Sequence, residues 1–296
     1  MRTCVIFNPA ARGNKARHFR RYLDEIGGRS ALKATAAPGD ARRLAAEAIA
    51  DGFDLIVAAG GDGTLNEVLN GIGDAPKGFE RARLGVLPLG TVNVFARELK
   101  IPLRLERAWE ILRSGRELKI DLGCAEFSAG GVRKKQFFAQ LAGAGLDARA
   151  IELVDWQHKK KIGPVAYVIA GLKALREKKP GISVCTGGQN FNGELVLIGN
   201  GKFYGGAYEI FPPADLCDGL LEVCIFPHVD FPTLFRCAPS FLMRKKLPEK
   251  IVRRFRAKKI ELVCDSTAAF ELDGEWAGKL PATFSIERGQ LRVAVP

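Results

Sequence analysis

The stretch that most constrains this chain is Ala58-Ala59-Gly60-Gly61-Asp62-Gly63-Thr64-Leu65-Asn66-Glu67. It follows a short apolar run, Leu55-Ile56-Val57, and leads into Leu65, Val68, Leu69 and Ile72 at helical spacing. Glycines therefore stand where a buried strand becomes a helix. A turn of that kind suits a phosphate. Glycine lets the backbone approach an anion, and the first amides of a helix have no intrahelical acceptor and carry the positive end of its dipole. Asp62 is out of keeping with such a cradle, because a carboxylate repels a phosphate unless a divalent cation is shared between them. The plain structural alternative is a capping box, Thr64 with Glu67 three residues later, around a tight Gly-Asp-Gly loop. The string is not a P-loop, since no Gly-Lys-Ser/Thr follows, and it lacks the Gly-x-Gly-x-x-Gly dinucleotide spacing.

The rest of the first half repeats the pattern. Cys4 to Phe7 reads as a buried strand emptying into Asn8-Pro9-Ala10-Ala11-Arg12-Gly13-Asn14-Lys15, and a helix is expected over about Ala16 to Ile26. Leu32 to Thr35 reads as a strand. Gly39-Asp40 opens a helix with Leu44, Ala45, Ala48 and Ile49 on one face. Leu84 to Leu87 is another apolar strand, followed by Pro88-Leu89-Gly90-Thr91-Val92-Asn93-Val94. Alternating strands and helices predict a parallel sheet with crossovers, whose ligands sit at the carboxyl ends of the strands. Three loops then share one sheet edge: Asn8 to Lys15, Gly60 to Thr64 and Pro88 to Asn93.

From about Leu118 short β-like runs take over: Ile120 to Leu122, Gln136 to Leu141, Glu194 to Ile198, Leu220 to Phe226, Lys259 to Cys264, Ala269 to Leu272, Thr283 to Ile286 and Leu291 to Val295. Helical stretches are expected near Ile151 to Lys178 and Phe231 to Lys246. The 296 residues divide best into an α/β domain, 1–122, to which the last strand (about 288–296) returns, and a β-rich domain, 123–287. In the second half two acidic clusters stand out, Asp215-Leu216-Cys217-Asp218-Gly219-Leu220 and Glu271-Leu272-Asp273-Gly274-Glu275-Trp276. Asp-Gly between apolar residues is first of all a hairpin turn. If a strand instead runs through the second cluster, Asp273 and Glu275 project to the same side.

Charge and composition narrow the partners. With 45 basic and 33 acidic residues the net charge is +12, which favours polyanions. Lys159 to Lys161 and the longer run Arg244, Lys245, Lys246, Lys250, Arg253, Arg254, Arg256, Lys258 and Lys259 hold much of it. Such runs are ordinarily solvated faces. The longer one, however, follows Phe231, Leu234, Phe235, Phe241, Leu242 and Met243, a pattern suited to an anionic lipid surface. No nucleic-acid module is present. Seven scattered cysteines without metal spacing read as reduced thiols in a cytosol, and no run is long enough to span a membrane. The expected location is cytoplasmic with peripheral membrane contact; the sequence leaves a homodimer open.

Taken in order, Phe7-Asn8-Pro9, Gly60-Gly61-Asp62-Gly63-Thr64, Pro88-Leu89-Gly90-Thr91 with Asn93, Asp218-Gly219-Leu220 and Asp273-Gly274-Glu275 resemble the soluble bacterial diacylglycerol kinase family, whose catalytic domain is shared with sphingosine and ceramide kinases. The resemblance implies a Rossmann-like nucleotide-binding α/β domain followed by a β-sandwich, with ATP in a cleft between them. It implies a lipid kinase using ATP and Mg²⁺ on a diacylglycerol, sphingoid or related hydroxyl. By position, Asn8, Ala10, Ala11, Arg12, Gly13, Asn14, Thr35, Gly60, Gly61, Asp62, Gly63, Thr64, Leu65, Asn66 and Thr91 would hold ATP. Asp62 would sit at the catalytic Mg²⁺, and Glu275, helped by Asp273, would take the proton from the lipid. Asp218, with the carbonyls of Asp215 and Leu220, would match a structural Mg²⁺ site. One departure is Val94, where bacterial members usually carry Asp. It keeps two alternatives in view: a soluble-metabolite kinase of the NAD kinase type, which also bears Gly-Gly-Asp-Gly-Thr, and a non-catalytic nucleotide- or lipid-binding homologue.

Overall fold

Cys4-Val5-Ile6 and Leu55 to Ala59 are apolar without alternation, as strands covered on both faces must be, and both are fully buried. In the computed structural model, the residues described are 2–9, 19, 21–22, 26–28, 30–153, 174–175, 177, 179–242, 247–248 and 250–296. The chain forms two units: Met1–Leu122 with Gly205–Ala207 and Arg288–Pro296, and Gly123–Tyr204 with Tyr208–Glu287.

In the first unit β1 (Thr3–Phe7), β2 (Ala31–Ala34), β3 (Leu55–Gly60) and β4 (Arg83–Pro88) lie in the order β2-β1-β3-β4, every pair parallel. The order turns back at β1. The carboxyl ends of β1 and β3 therefore flank a topological switch point, where open parallel sheets bind ligands. The far end of β18 (Ala282–Val295) joins this sheet, Val293 pairing in parallel with Leu84. Helix α1 (Asp40–Ala50) buries Ala41, Ala45, Ala48 and Ile49, and α2 (Asp62–Asp74) buries Leu65, Val68, Leu69 and Ile72. Gly71 lets these two helices close up, since a Cβ there would overlap the Arg42 carbonyl. Three further helices follow, α3 (Gly78–Arg81), α4 (Val94–Glu98) and α5 (Leu105–Ser114).

The second unit is a sandwich of antiparallel sheets. Its strands are β5 (Arg116–Ala129, from Gly123 on), β6 (Val132–Phe138), β7 (Leu141–Gly145), β8 (Ile182–Thr186), β9 (Gln189–Gly193), β10 (Leu195–Gly199), the short pair β11 (Phe203–Tyr204) and β12 (Tyr208–Glu209), β13 (Leu221–Phe226), β14 (Arg253–Ala257), β15 (Lys259–Cys264), β16 (Ala269–Leu272), β17 (Glu275–Lys279) and the first part of β18. One sheet has the order β14-β13-β10-β7-β16-β17. In the other, β15 lies between β8 and β18, with β9 beyond β8. Alternation sends Ala142, Ala144, Val196, Ile198, Val223, Phe270 and Leu272 into a shared core with Val184, Ile260, Leu262 and Phe284. Phe270 meets Phe127 and Phe284 edge-on, with centroids 4.9 and 5.5 Å away. The opposite face of the six-stranded sheet carries Leu141, Leu195, Leu197 and Cys224, packed with Phe211 and with Cys237 of α7 (Phe231–Leu242). Helix α6 (Leu146–Glu152) follows directly on β7.

This is the α/β-plus-sandwich class that the sequence predicts, with local differences. Gln136 to Leu141 is two strands rather than one, because the chain breaks at Ala139-Gln140, whose amides bind the Asp273 carboxylate. Thr283 to Ile286 and Leu291 to Val295 are one continuous strand, β18. Within the longer basic run Arg253, Arg254 and Arg256 lie on β14, and Lys259 opens β15 as the expected run Lys259 to Cys264 has it. Lys159 to Lys161, Met243 to Lys246 and most of the helix expected over Ala16 to Ile26 lie outside the described residues. All seven cysteines are free thiols.

Candidate active site

The glycine string opens α2 with Gly61 as its N-cap, in extended conformation and with no side chain bonded to the cap. The capping box does not form. Glu67 turns away, and its carboxylate accepts from Gly39 N (2.9 Å) and Ala41 N (3.0 Å), capping α1. The first intrahelical bond of α2 runs from Leu65 N to Gly61 O (3.0 Å), so the amides of Asp62, Gly63 and Thr64 precede it. The β4 loop is laced to this turn. Leu89 N and Gly90 N both donate to Gly60 O, at 2.9 and 3.2 Å. A Cβ on Gly90 would lie 2.5 Å from Gly61 Cα and 2.8 Å from Asn93 Oδ1, and one on Gly60 would overlap the Thr64 side chain. The two backbones can run this close only with glycine at position 90. Asn93, at φ 52°, donates its amide to Gly90 O at 2.6 Å and sets the start of α4.

Asp62 reaches that start, its Oδ1 lying 3.4 Å from Phe95 N, beside the buried Val94. Asn66 is buried, accepting from Asn70 Nδ2 through its carbonyl (2.9 Å) and Oδ1 (3.2 Å). Thr35 N donates to Phe7 O (2.9 Å), extending the β1–β2 ladder. Asn8, Thr35, Gly60 to Asn66 and Thr91 thus stand at the carboxyl ends of four parallel strands, on one edge. Ala10, Ala11, Arg12, Gly13 and Asn14 lie outside the described residues.

In the second unit the Asp-Gly-Glu string is a hairpin. Leu272 pairs with Glu275, and Asp273 (φ 50°) and Gly274 (φ 87°) make the two-residue turn between them. No strand runs through Asp273, so the expectation that it shares a face with Glu275 fails; two left-handed residues interrupt the alternation. Asp273 instead anchors the turn. Its Oδ2 accepts from Ala139 N (2.8 Å), its Oδ1 from Gln140 N and Leu141 N (2.9 and 3.1 Å), and its own N donates to Leu141 O (2.9 Å). Glu275 is exposed at the head of β17, and Trp276 Nε1 ties that strand to Glu152 of α6 (2.9 Å).

Behind the turn lies a pair of acids. Glu271 is completely buried, and its Oε2 accepts from Gly274 N at 2.6 Å. Asp147 of α6 hydrogen-bonds Glu271 and accepts from the Tyr204 hydroxyl at 2.5 Å. Burial pushes the Glu271 carboxyl well above the usual range, and repulsion from Asp147 adds to it. Burial raises Asp147 too, against the pull of its two hydrogen bonds. Two carboxylates set side by side away from water resist ionising together.

Two domain-level likenesses cover nearly the whole chain. The "Diacylglycerol kinase catalytic domain" family matches residues 2–125, and the "YegS C-terminal NAD kinase beta sandwich-like domain" matches residues 140–295. The diacylglycerol kinase of Bacillus subtilis (strain 168) is 30% identical over 303 residues, covering 100% of this chain and 96% of the relative. The chain belongs to the diacylglycerol kinase family. The diacylglycerol kinase of Staphylococcus aureus (strain MRSA252) is 32% identical over 300 residues, covering 97% of this chain and 90% of its own. A crystal structure of a diacylglycerol kinase from Bacillus anthracis str. Sterne superposes with a TM-score of 0.76 at 24% identity, over 100% of this chain and 97% of that one, and agrees in fold. As a member of a family of lipid kinases, the chain is a phosphotransferase.

Against the diacylglycerol kinase pattern, the structural Mg²⁺ site is the clearest mismatch. Asp218 Oδ1 accepts from Leu220 N (3.0 Å), Asp215 Oδ1 from Cys217 N (3.0 Å), and the Asp215 carbonyl from Asp218 N (3.3 Å). The remaining Asp218 oxygen pairs with Arg256 Nη2, whose Nε lies 2.6 Å from buried Glu222. A guanidinium stands where a cation would, so these residues do not fit a bound Mg²⁺. Among the described residues no group of three or more His, Cys, Asp or Glu could hold a metal ion. The sequence also passed over Asp147, Tyr204 and the role of Glu271. Their only local signal is an acid between Phe270 and Leu272, in a strand otherwise made for a core.

Proposed function

We propose that the chain is an ATP- and Mg²⁺-dependent lipid kinase that transfers a phosphoryl group to the hydroxyl of a diacylglycerol, sphingoid or related lipid. The observation that carries the reading is the amino terminus of α2, where the flanking glycines and the amides ahead of the first intrahelical bond lie at the switch point of a parallel sheet. Phosphoryl transfer asks a protein mainly for positioning and for charge neutralisation. Gly61, Gly63 and Thr64 offer amides to phosphate oxygens, with Asn8, Thr35 and Thr91 on the same edge. Asp62 fits a Mg²⁺ ion, because that cation is ordinarily held by one or two carboxylates plus substrate phosphates. When bound, Mg²⁺ supplies neutralisation of the phosphate charge. With Val94 in place of a second acid at the head of α4, Asp62 carries that task with less help, and a higher Mg²⁺ requirement follows.

Glu275 is the general base, taking the proton of the acceptor hydroxyl as phosphorus is attacked. Asp273 serves by holding the turn. The alternative of a water-soluble acceptor draws on the NAD kinase-like description of the C-terminal match. Two observations favour lipid over it. Phe231 and Phe235 of α7 are 53% and 82% exposed, and the net charge is +12. Aromatic side chains beside positive charge suit an anionic membrane surface reached from the cytoplasm, and no helix among the described residues is long and apolar enough to cross a membrane.

The test is transfer from labelled ATP by the purified chain in mixed micelles containing anionic lipid. Diacylglycerol, monoacylglycerol, sphingosine and ceramide are offered side by side, with Glu275→Ala as control. A labelled lipid that disappears in the variant supports the reading and names the acceptor; transfer without any lipid, or ATP binding with no transfer at all, overturns it.

A further inference from the structure

We infer that Tyr204, Asp147 and Glu271 form a positioning unit that holds the Asp273-Gly274-Glu275 turn in register, acting on the reaction through Glu275 rather than on substrate. The inference rests on the reading of Glu275 as the base. The contacts run in one line: the Tyr204 hydroxyl to Asp147 Oδ1 (2.5 Å), Asp147 to Glu271, and Glu271 Oε2 to Gly274 N (2.6 Å). Gly274 is bonded directly to Glu275. Space for the pair comes from Gly143 on β7, where a Cβ would overlap Asp147 Oδ2 and lie 2.9 Å from Glu271 Oε1.

An acid pair under a sheet is costly to bury, and an apolar residue at 271 would complete that face more cheaply. What the carboxylate does that an apolar side chain cannot is grip the amide of Gly274. Asp273 grips the same turn from the other side through Ala139, Gln140 and Leu141. The turn is thus clamped at both of its residues. Releasing one clamp lets Glu275 shift, and a misplacement of about 1 Å in a reacting group can lower a rate about 10²-fold.

The experiment compares Glu271→Ala, Glu271→Gln and Tyr204→Phe in the lipid transfer assay, alongside the Gly274 amide in ¹⁵N-glycine-labelled protein. Glutamine keeps an oxygen for Gly274 N and offers an N–H to Asp147. Glu271→Ala should lower kcat about 10²-fold with the ATP KM unchanged; Glu271→Gln should return it to within a few-fold of wild type, and Tyr204→Phe should lose less than Ala. The Gly274 amide proton should move upfield in Ala and stay in place in Gln. Unchanged kcat in Ala overturns the inference, as does a Gln variant as slow as Ala, because the carboxylate would then act as an acid or base itself. If Ala does not fold, Tyr204→Phe carries the test, and its kcat and Gly274 shift both matching wild type overturn it. If wild type phosphorylates no lipid, the function reading fails, while the Gly274 resonance still decides whether the clamp exists: an unmoved signal in Ala overturns it.

Discussion

The glycine edge of the first unit and the acidic hairpin of the second use the backbone in opposite directions. At Gly60 to Thr64 the amides at the head of α2 have no side-chain cap, and the side chains are reduced to glycines that let Gly90 close against Gly61. At the hairpin the amides of residues 139–141 and Gly274 are all consumed by carboxylates, which leaves Glu275 at the exposed head of its strand. One region leaves its helix start without a side-chain cap. The other spends its amides to hold a turn next to Glu275. The difference teaches that a glycine turn at a helix start can be written into a few consecutive residues, whereas a clamped acidic turn needs support drawn from β7 and the two residues before it, from α6 and from β11.

Four changes break or sharpen that contrast. Glu275→Ala should remove the base and lower kcat about 10³-fold while leaving ATP binding intact; parallel turnover and nucleotide titrations check it. Asp62→Asn should cost about 10²-fold in kcat/KM and raise the Mg²⁺ concentration needed for half-maximal rate, seen by titrating Mg²⁺ at fixed ATP. Were Asp62→Asn to leave the Mg²⁺ dependence alone, the glycine edge would be a pure amide site with no cation of its own.

Asp273→Ala should act on folding, leaving three amides without an acceptor and destabilising the second unit by about 3 kcal/mol, read by denaturant unfolding. A variant that stays stable but loses kcat would return Asp273 to the chemistry. The smallest effect concerns Arg256. Chelating Mg²⁺ should leave the melting temperature of wild type in place, while Arg256→Met should lower stability by about 1 kcal/mol, a figure kept small because the pair is partly exposed. A wild-type Tm that falls on chelation would restore a structural metal to Asp218.

Much of the first unit could be read from its own residues, because buried parallel strands are unbroken apolar runs and the loops after them carry glycine and asparagine. Even there Thr64 and Glu67 have capping-box spacing without forming one. The amide contest is settled by Gly39 and Ala41, residues far away in sequence that only the packing of α1 on α2 brings to Glu67. In the second unit alternation located most strands, but the split at Ala139-Gln140 and the joining of both terminal runs into β18 depend on hydrogen bonds across the sheet.

The sequence by itself determined the parallel α/β start, the β-rich continuation, the glycine turn after β3 and the Asp-Gly hairpin, since each follows from local periodicity or from backbone conformations that few residues adopt. Only the tertiary structure decided that Asp273 is an anchor, that Arg256 stands beside Asp218, and that Tyr204, Asp147 and Glu271 meet behind Gly274. These groups are separated by tens of residues, and a carboxylate's role is set by which donors and charges surround it once the chain has folded.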